Sequence, residues 1–190
     1  GHEDKPEDES YVRSTGHPHY RADDALWLFP TVYKYVAETG NKAFLDEVIP
    51  YADFDEGTVL DHLKRAIDFT LNHLGAHGMP AGLHADWNDC LRLGKQGESS
   101  FVALQFYYAL NILRELIQDR PEYAEYCQFL AAKADELLTK INDLFWEDDR
   151  FTRGYSEEGD VIGSKQNKEA SMWLNPQSWS VISGAATKEQ

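Results

Sequence analysis

The seven residues from His84 to Cys90, with the sequence HADWNDC, carry the side chains best suited to chemistry on a substrate. Two carboxylates, Asp86 and Asp89, flank a tryptophan and an asparagine. An indole face can support a sugar ring, and a carboxylic acid can protonate a glycosidic oxygen. The segment therefore predicts carbohydrate chemistry. The alternative is an aspartate-rich helix start with a buried tryptophan behind it.

The spacing of the two carboxylates suggests which chemistry they could do. Asp86 and Asp89 are three residues apart, so on a helical turn they would share one face. Two like charges at that distance raise the pKa of one of them, which helps a general acid to hold its proton near neutral pH. Arg92 is expected either to bind an anion or to neutralise Asp89. Cys90 is predicted to be a small buried residue rather than a nucleophile.

The composition excludes several classes of protein. A chain of 190 residues suffices for one domain with a sizeable core. Its formal net charge of -15 would repel phosphate backbones and anionic membranes, so binding to nucleic acid or to a membrane is not expected. The two cysteines form no spaced framework, and neither a signal peptide nor a membrane-spanning run is expected. These features favour a cytoplasmic protein.

Metal and cofactor motifs are not found. His17, His19, His73, His77 and His84 form no compact ligand set such as His-Glu-x-x-His, so no metal site is predicted. The sequence contains no Walker loop, no dinucleotide fingerprint and no Gly-x-Ser-x-Gly nucleophile motif. We therefore predict chemistry that needs no cofactor.

Hydrophobic periodicity predicts a succession of helices joined alternately by short turns and long loops. The predicted helices cover residues 25–39, 42–48, 58–74, 98–118, 121–144 and 176–183, and short strands are expected within 147–169. Thr58 is predicted to cap the third helix, and Gly40 to end the first. Residues 1–16 are predicted to be a disordered or extended start, and residues 17–190 to form the domain. The predicted fold class is mainly α, built from antiparallel helix pairs.

Three separated motifs, in order, resemble the disaccharide phosphorylases of glycoside hydrolase family 94. They are YRADDALWL from Tyr20, HADWNDCLRLG with the following GES, and VIGSKQNKEASMWLNPQSWSVISG from Val161. The resemblance covers about residues 17–186, and the form GLHADWNDCLRLG is closest to the chitobiose branch. It implies that the chain is part of an (α/α)6 barrel. It also implies inverting phosphorolysis of a β-linked disaccharide, of chitobiose or cellobiose type, to an α-sugar 1-phosphate and a free sugar.

The resemblance implies roles for individual residues. The family's general acid falls on Asp89, and the tryptophan that stacks near the sugar falls on Trp87. The further substrate-binding candidates are Asp86, Arg21, Asp24, Trp27 and Gln177, with helix capping and packing as the alternative for several of them. Arg92 is the candidate phosphate contact, and the other phosphate contacts are expected outside this chain. Glu98 is expected to cap its helix.

The resemblance also implies the partners. The expected partners are a disaccharide and inorganic phosphate as co-substrate, with a homodimer by family analogy. Family members are several hundred residues longer, so the chain is expected to be a catalytic-domain fragment that is inactive alone.

Two alternatives to the phosphorylase remain open. One is an inverting glycoside hydrolase on the same barrel, with a second carboxylate outside the chain or among Asp23, Asp24 and Glu98. The other is a non-catalytic carbohydrate-binding helical domain, which would use the aromatic residues for stacking but would not need Asp89.

Overall fold

A computed structural model describes residues 21–51, 55–94 and 96–190. The predicted disordered or extended start, residues 1–16, lies outside the described residues. Within them the chain forms five α-helices: α1 (Leu28–Thr39), α2 (Val59–Leu71), α3 (Ser100–Ile117), α4 (Ala124–Phe145) and α5 (Leu174–Ile182). Three short 3-10 helices cover Asp24–Trp27, Lys42–Asp46 and Pro121–Tyr123. The described part is therefore mainly α, as the hydrophobic periodicity predicts.

Two predicted helix ends are confirmed by their local hydrogen bonds. The Thr58 hydroxyl accepts a bond from the Asp61 backbone N–H (3.0 Å), and the Asp61 carboxylate accepts one from the Thr58 N–H (3.1 Å). This reciprocal capping box satisfies two N–H groups that the helix itself leaves unpaired. Gly40 ends α1 with a left-handed φ of 69°, a conformation that glycine adopts without steric cost.

Two other predicted boundaries are wrong. The helix expected over residues 42–48 ends at Asp46, because the chain continues as a strand from Val48 to Pro50. Glu98 does not cap α3. It lies in a short strand, while the Ser99 hydroxyl caps the helix by accepting a hydrogen bond from the Val102 N–H at 3.3 Å.

Helix α3 is the centre of the fold. It contacts each of the other four α-helices, and most of its side chains are buried on all sides. Its largest fully buried side chains are Phe101 and Leu104. Burial of one such side chain contributes about 1.5–3 kcal/mol, so α3 is the rigid element on which the other segments are assembled. No helix within the described residues is both long enough and apolar enough to cross a membrane.

In the described part of the chain, the helices are accompanied by three small sheets of short antiparallel strands. Strands β1 (Val48–Pro50) and β2 (Glu56–Thr58) pair, as do β4 (Trp146–Glu147) and β5 (Arg150–Phe151). The third sheet has the order β3-β6-β7, with β3 at Glu98–Ser99, β6 at Gly154–Tyr155 and β7 at Val161–Ile162. The short strands predicted within 147–169 are confirmed. Those of residues 48–58 and 98–99 were not expected from the helical pattern.

Backbone contacts gather three separate segments at the start of α3. The Ala22 N–H donates to the Ala85 carbonyl (2.9 Å), so the residues before α1 lie against the HADWNDC segment. The Ser100 N–H donates to the Arg153 carbonyl (3.2 Å), which holds the connection between β5 and β6 against the first residue of α3. This end of the helical assembly therefore carries the predicted functional segments.

Candidate functional site

The HADWNDC segment is an irregular loop with two consecutive turns. The Asn88 N–H donates to Asp86 Oδ1 (2.9 Å), and the Cys90 N–H donates to Asn88 Oδ1 (3.1 Å). Each is a side chain bonding the backbone two residues further on, as Asp and Asn do in turns. The Leu91 N–H adds a bond to the Asn88 carbonyl at 3.0 Å. The expectation of a shared helical face for the two aspartates is therefore wrong.

The side chain of Asp86 is buried beneath the loop. Its Oδ1 accepts the Asn88 N–H and the Arg153 Nη2 (2.7 Å), and its Oδ2 accepts the Ser99 hydroxyl (2.6 Å) and the same Nη2 (2.6 Å). A carboxylate offers about four acceptor positions, and all four are occupied. This arrangement makes Asp86 an anchor of the loop, and its predicted contact with the substrate stays a prediction.

Asp89 has the opposite environment. Its side chain is 73% exposed and forms an ion pair with the guanidinium of Arg21. Arg21 stands at the entry to the first helical segment, where it forms isolated bridges with Leu83 and Ala85 on either side of His84. Two of the predicted site residues are thus brought together. The exposed face of the carboxyl group remains open to a ligand in solution.

Trp87 presents its indole to solvent between the two aspartates, and 64% of the residue is exposed. An exposed tryptophan in a loop anchored on both sides is unusual for packing, because large aromatic side chains gain stability from burial. The alternative of a buried tryptophan behind a helix start is wrong. Within this loop, the exposed indole and the exposed carboxyl group of Asp89 are two residues apart.

Trp27 and Asp23 form a second aromatic and acidic pair beside the loop. The Trp27 Nε1–H donates to Asp23 Oδ2 at 2.8 Å, and the other oxygen, Oδ1, has no hydrogen-bond partner among the described residues. Burial raises the pKa of Asp23, and the nearby Asp86 carboxylate raises it further, against the lowering effect of the Trp27 bond. Trp27 also packs edge-on against Trp179, with ring centroids 5.5 Å apart.

Asp24, Arg92 and Cys90 lie at the margin of the loop. Asp24 is half-buried in the first turn of the 3-10 helix. Arg92 is exposed, and its Nη1 is 3.4 Å from Nδ1 of His84. Asp89 forms an ion pair with Arg21, and the expected role of Arg92 in neutralising Asp89 stays a prediction. Cys90 is an exposed free cysteine, which corrects the prediction that it is buried.

Gln177 is engaged with the backbone at the start of α5. Its Oε1 accepts the Phe151 N–H (2.9 Å), and its Nε2 donates to the carbonyls of Phe151 (2.7 Å) and Trp173 (3.0 Å). These bonds tie α5 to strand β5. The geometry favours the packing alternative for this residue, because its amide hydrogens and its oxygen already have partners.

Glu98 is buried against the turn that contains His77 and Met79. Its Oε1 accepts the backbone N–H groups of His77 (2.7 Å) and Met79 (3.0 Å), and its Oε2 contacts His77 Nδ1 at 2.6 Å. The side chain has no exposed surface. Glu98 thus holds the turn that precedes the HADWNDC segment and does not face solvent.

Arg153 is the site residue that the sequence did not indicate. It lies 67 residues from Asp86, in the stretch 147–169 where only loop and short strands are predicted, and its side chain is completely buried. No periodicity or motif marks it, because its partner is defined only by the tertiary fold.

The described residues contain no group of three or more His, Cys, Asp or Glu side chains that could hold a metal ion. His17 and His19 lie outside the described residues.

The exposed indole and carboxyl group, carried on an anchored loop at one end of a helical assembly, are typical of an enzyme that acts on carbohydrate. Comparison with known proteins agrees. Residues 3–190 match the catalytic domain of the glycosyl hydrolase 94 superfamily, and the chain belongs to this family.

Two relatives show how the chain relates to complete members. The N,N'-diacetylchitobiose phosphorylase of Vibrio proteolyticus is 38% identical over 180 residues, which cover 89% of this chain and 21% of that protein. The solabiose phosphorylase of Paenibacillus borealis is 36% identical over 184 residues, covering 91% of this chain and 23% of that protein. The chain thus spans about a fifth of the length of the curated relatives it matches.

The fold has a counterpart among solved structures. The crystal structure of a GH78 family rhamnosidase of Bacillus sp. GL1 matches 90% of this chain and 16% of that protein, with a TM-score of 0.67. The sequence identity is 19%, so the likeness concerns the fold.

Proposed function

We propose that this chain carries the general acid of an inverting disaccharide phosphorylase, and that Asp89 is that acid. The observation that carries the proposal is the exposed carboxyl group of Asp89 beside the exposed indole of Trp87, on a loop fixed from beneath by Asp86. Membership of the glycosyl hydrolase 94 superfamily and the phosphorylase names of both relatives support the type of reaction.

The chemistry needs one carboxylic acid on the protein. Asp89 donates its proton to the glycosidic oxygen as the bond from that oxygen to the anomeric carbon breaks. Phosphate attacks the same carbon from the opposite face, and its oxygen forms the new bond. A β-linked disaccharide then yields an α-sugar 1-phosphate and a free sugar, with Asp89 left as a carboxylate. No further base is required, because phosphate is already an anionic nucleophile.

The neighbouring residues have supporting roles in this proposal. Trp87 provides the surface on which a sugar ring stacks, and Arg21 lies where it can contact both Asp89 and a bound sugar. Trp27 and Asp24 border the same loop, and Arg92 contributes to phosphate binding. We further propose that the helices form part of an (α/α)6 barrel whose remaining segments supply the other phosphate contacts.

Two of the three described carboxylates that a hydrolase could use as its base are poorly placed for that role, and a base outside this chain remains the other form of that alternative. An inverting hydrolase needs a second carboxylate that activates water on the far side of the sugar ring, about 6.5–9.5 Å from the acid. Of the three candidates, Asp23 and Glu98 are buried, and Glu98 is occupied by His77 and by backbone N–H groups. Only Asp24 has partial exposure. A phosphorylase has no such requirement.

The substrate class we propose is a β-linked disaccharide of chitobiose or cellobiose type. The test is to incubate the whole protein that carries these residues with diacetylchitobiose, cellobiose or laminaribiose, each with and without phosphate. Phosphate-dependent release of a sugar 1-phosphate is expected, with the α configuration in the proton NMR spectrum. Release of sugar without phosphate would assign the protein to the hydrolases. Binding of the sugar without turnover would favour the carbohydrate-binding alternative.

A further inference from the structure

Arg153 connects three segments of the chain through its buried guanidinium. Its Nη2 binds both oxygens of Asp86 (2.7 and 2.6 Å), and its Nη1 donates to the Ser99 hydroxyl at 2.9 Å. Ser99 in turn donates its hydroxyl hydrogen to Asp86 and caps α3. The loop beneath Trp87 and Asp89 is therefore joined to the central helix and to the connection between β5 and β6.

The backbone around Arg153 is fixed as firmly as its side chain. Its N–H donates to the Ile162 carbonyl at 2.6 Å, and its carbonyl accepts the Ser100 N–H at 3.2 Å. Gly163 permits this close approach, because a Cβ there would lie 2.9 Å from the Arg153 nitrogen. Strand β7 and helix α3 thus fix the position of the Arg153 backbone, which carries the guanidinium.

A chain of hydrogen bonds leads from Arg153 to the proposed acid. Asp86, which Arg153 orients, fixes the Asn88 N–H; the Asn88 side chain and carbonyl then fix the N–H groups of Cys90 and Leu91. Asp89 lies inside this second turn. A change in the angle of the Asp86 carboxylate therefore rotates the backbone that carries the Asp89 side chain, although Arg153 itself lies away from solvent.

We infer that Arg153 is a positioning residue for the general acid, acting through Asp86 and the turns at Asn88. The inference rests on the proposed function, since it requires Asp89 to be the acid. A lysine at this position would keep the charge but lose the planar guanidinium that binds Asp86 and Ser99 together. A misplacement of about 1 Å at a reacting group can lower a rate by about 100-fold.

The test distinguishes positioning from general stabilisation by changing the leaving group. A sugar alkoxide needs a proton in order to depart, whereas fluoride is a much weaker base and departs with little assistance. The whole protein is assayed with its disaccharide and with the β-glycosyl fluoride of the same sugar, both with phosphate. The quantity compared is the ratio of kcat for the disaccharide to kcat for the fluoride.

The variants are Asp89→Asn, Arg153→Lys and Asp86→Asn, with Arg150→Lys as the matched control. Arg150 lies three residues away and binds Asp149 and the Ser171 carbonyl, neither of which belongs to the HADWNDC segment. We expect Asp89→Asn to lower the ratio by at least ~100-fold. Arg153→Lys and Asp86→Asn should lower it by about 10- to 100-fold, and Arg150→Lys should leave it unchanged.

A ratio unchanged within about threefold in Arg153→Lys overturns the inference, whether both activities fall together or both persist. If Asp89→Asn itself leaves the ratio unchanged, the proposed function fails. If Arg153→Lys does not fold, the double variant Asp86→Leu with Arg153→Met replaces the buried pair by apolar side chains, which proteins often tolerate. It removes the same bond to Asn88 and is subject to the same criterion.

Discussion

Asp86 and Asp89 are three residues apart, yet their side chains are 1% and 73% exposed, and each is paired with a different arginine. Asp86 meets Arg153 in the interior, and Asp89 meets Arg21 at the surface. One aspartate therefore holds the loop, and the other is presented by it. We therefore predict that changes at Asp86 and Arg153 affect stability, and that changes at Asp89 affect activity.

The two ion pairs should contribute very differently to stability. Replacing Arg153 by Met leaves a buried carboxylate without its cation, which typically costs about 3–5 kcal/mol. Replacing Arg21 by Gln removes a partner from a pair whose carboxylate is 73% exposed, and we expect a loss of less than ~1 kcal/mol. Urea unfolding midpoints of the two variants in the whole protein measure the difference. Equal losses of stability in the two variants would contradict the distinction between Asp86 as the anchor of the loop and Asp89 as its exposed residue.

Asp89→Asn should abolish most of the turnover without affecting the fold. The amide cannot donate a carboxylic proton, so kcat for the disaccharide should fall by at least ~100-fold. The matched control is Asp119→Asn, because Asp119 is also an exposed aspartate (71%) in an ion pair, with Lys42. Thermal midpoints of both variants should stay near that of the parent protein. A near-normal rate in Asp89→Asn would rule out this residue as the acid.

Trp87→Ala should weaken substrate binding more than it lowers kcat. The indole is exposed and supports no core residue, so the expected loss is that of a stacking contact, about 0.5–1.5 kcal/mol. This corresponds to a rise in KM of roughly 2- to 12-fold. Met172→Ala is the control, since that side chain has a similar exposure of 61%. An unchanged KM in Trp87→Ala would mean that the ring does not contact the sugar.

The helices could be predicted from the sequence because their signals are local. The Thr58 capping box, the left-handed Gly40 and the apolar face of α3 each depend on residues within one or two turns. The short strands were harder, since β3 consists of Glu98 and Ser99 alone and is defined by its partner Gly154. Its residues look like a helix start in the sequence.

The sequence indicates which residue types the candidate site contains but not the contacts between them. Trp87 and Asp89 were recognisable because an aromatic and a carboxylate in a glycine-bounded loop suit sugar chemistry. The assignment of Asp86 required the position of Arg153, and the environment of Gln177 required the position of Phe151. Contacts of this kind span 26 to 67 residues of sequence, where neither periodicity nor spacing carries information.

Asp23→Asn should stabilise the protein, and the gain should depend on pH. Burial raises the pKa of Asp23 above its usual value near 3.8. The native state therefore holds this proton more tightly than the unfolded state does. The stability that this proton contributes is fully present below the pKa of Asp23 in the unfolded state. It is lost as the pH rises through the raised native pKa. Asparagine does not titrate and keeps an acceptor for Trp27.

The difference between Asp23→Asn and the parent protein should thus be small at pH 3.5 and larger at pH 7, as measured by urea unfolding. Asp119→Asn again serves as a control, because the hydrogen bond from Lys42 lowers the pKa of Asp119. Its pH dependence should have the opposite sign. If the gain in Asp23→Asn shrinks as the pH rises, the native pKa of Asp23 is not raised.

Gly154→Ala should destabilise the connection that holds Arg153. Gly154 has a φ of 152°, and a Cβ there would lie 2.1 Å from the Glu98 carbonyl oxygen, so β3 and β6 could not pair as they do. Gly159 also has a positive φ, of 90°, but its Cβ would meet no atom within 4 Å. Gly159→Ala therefore measures backbone strain alone, about 1–3 kcal/mol. We expect a larger shift in the urea midpoint for Gly154→Ala, together with a loss of disaccharide turnover, because the next residue towards the N-terminus is Arg153. Equal shifts for the two alanine variants would show that the close approach of these strands does not support the loop.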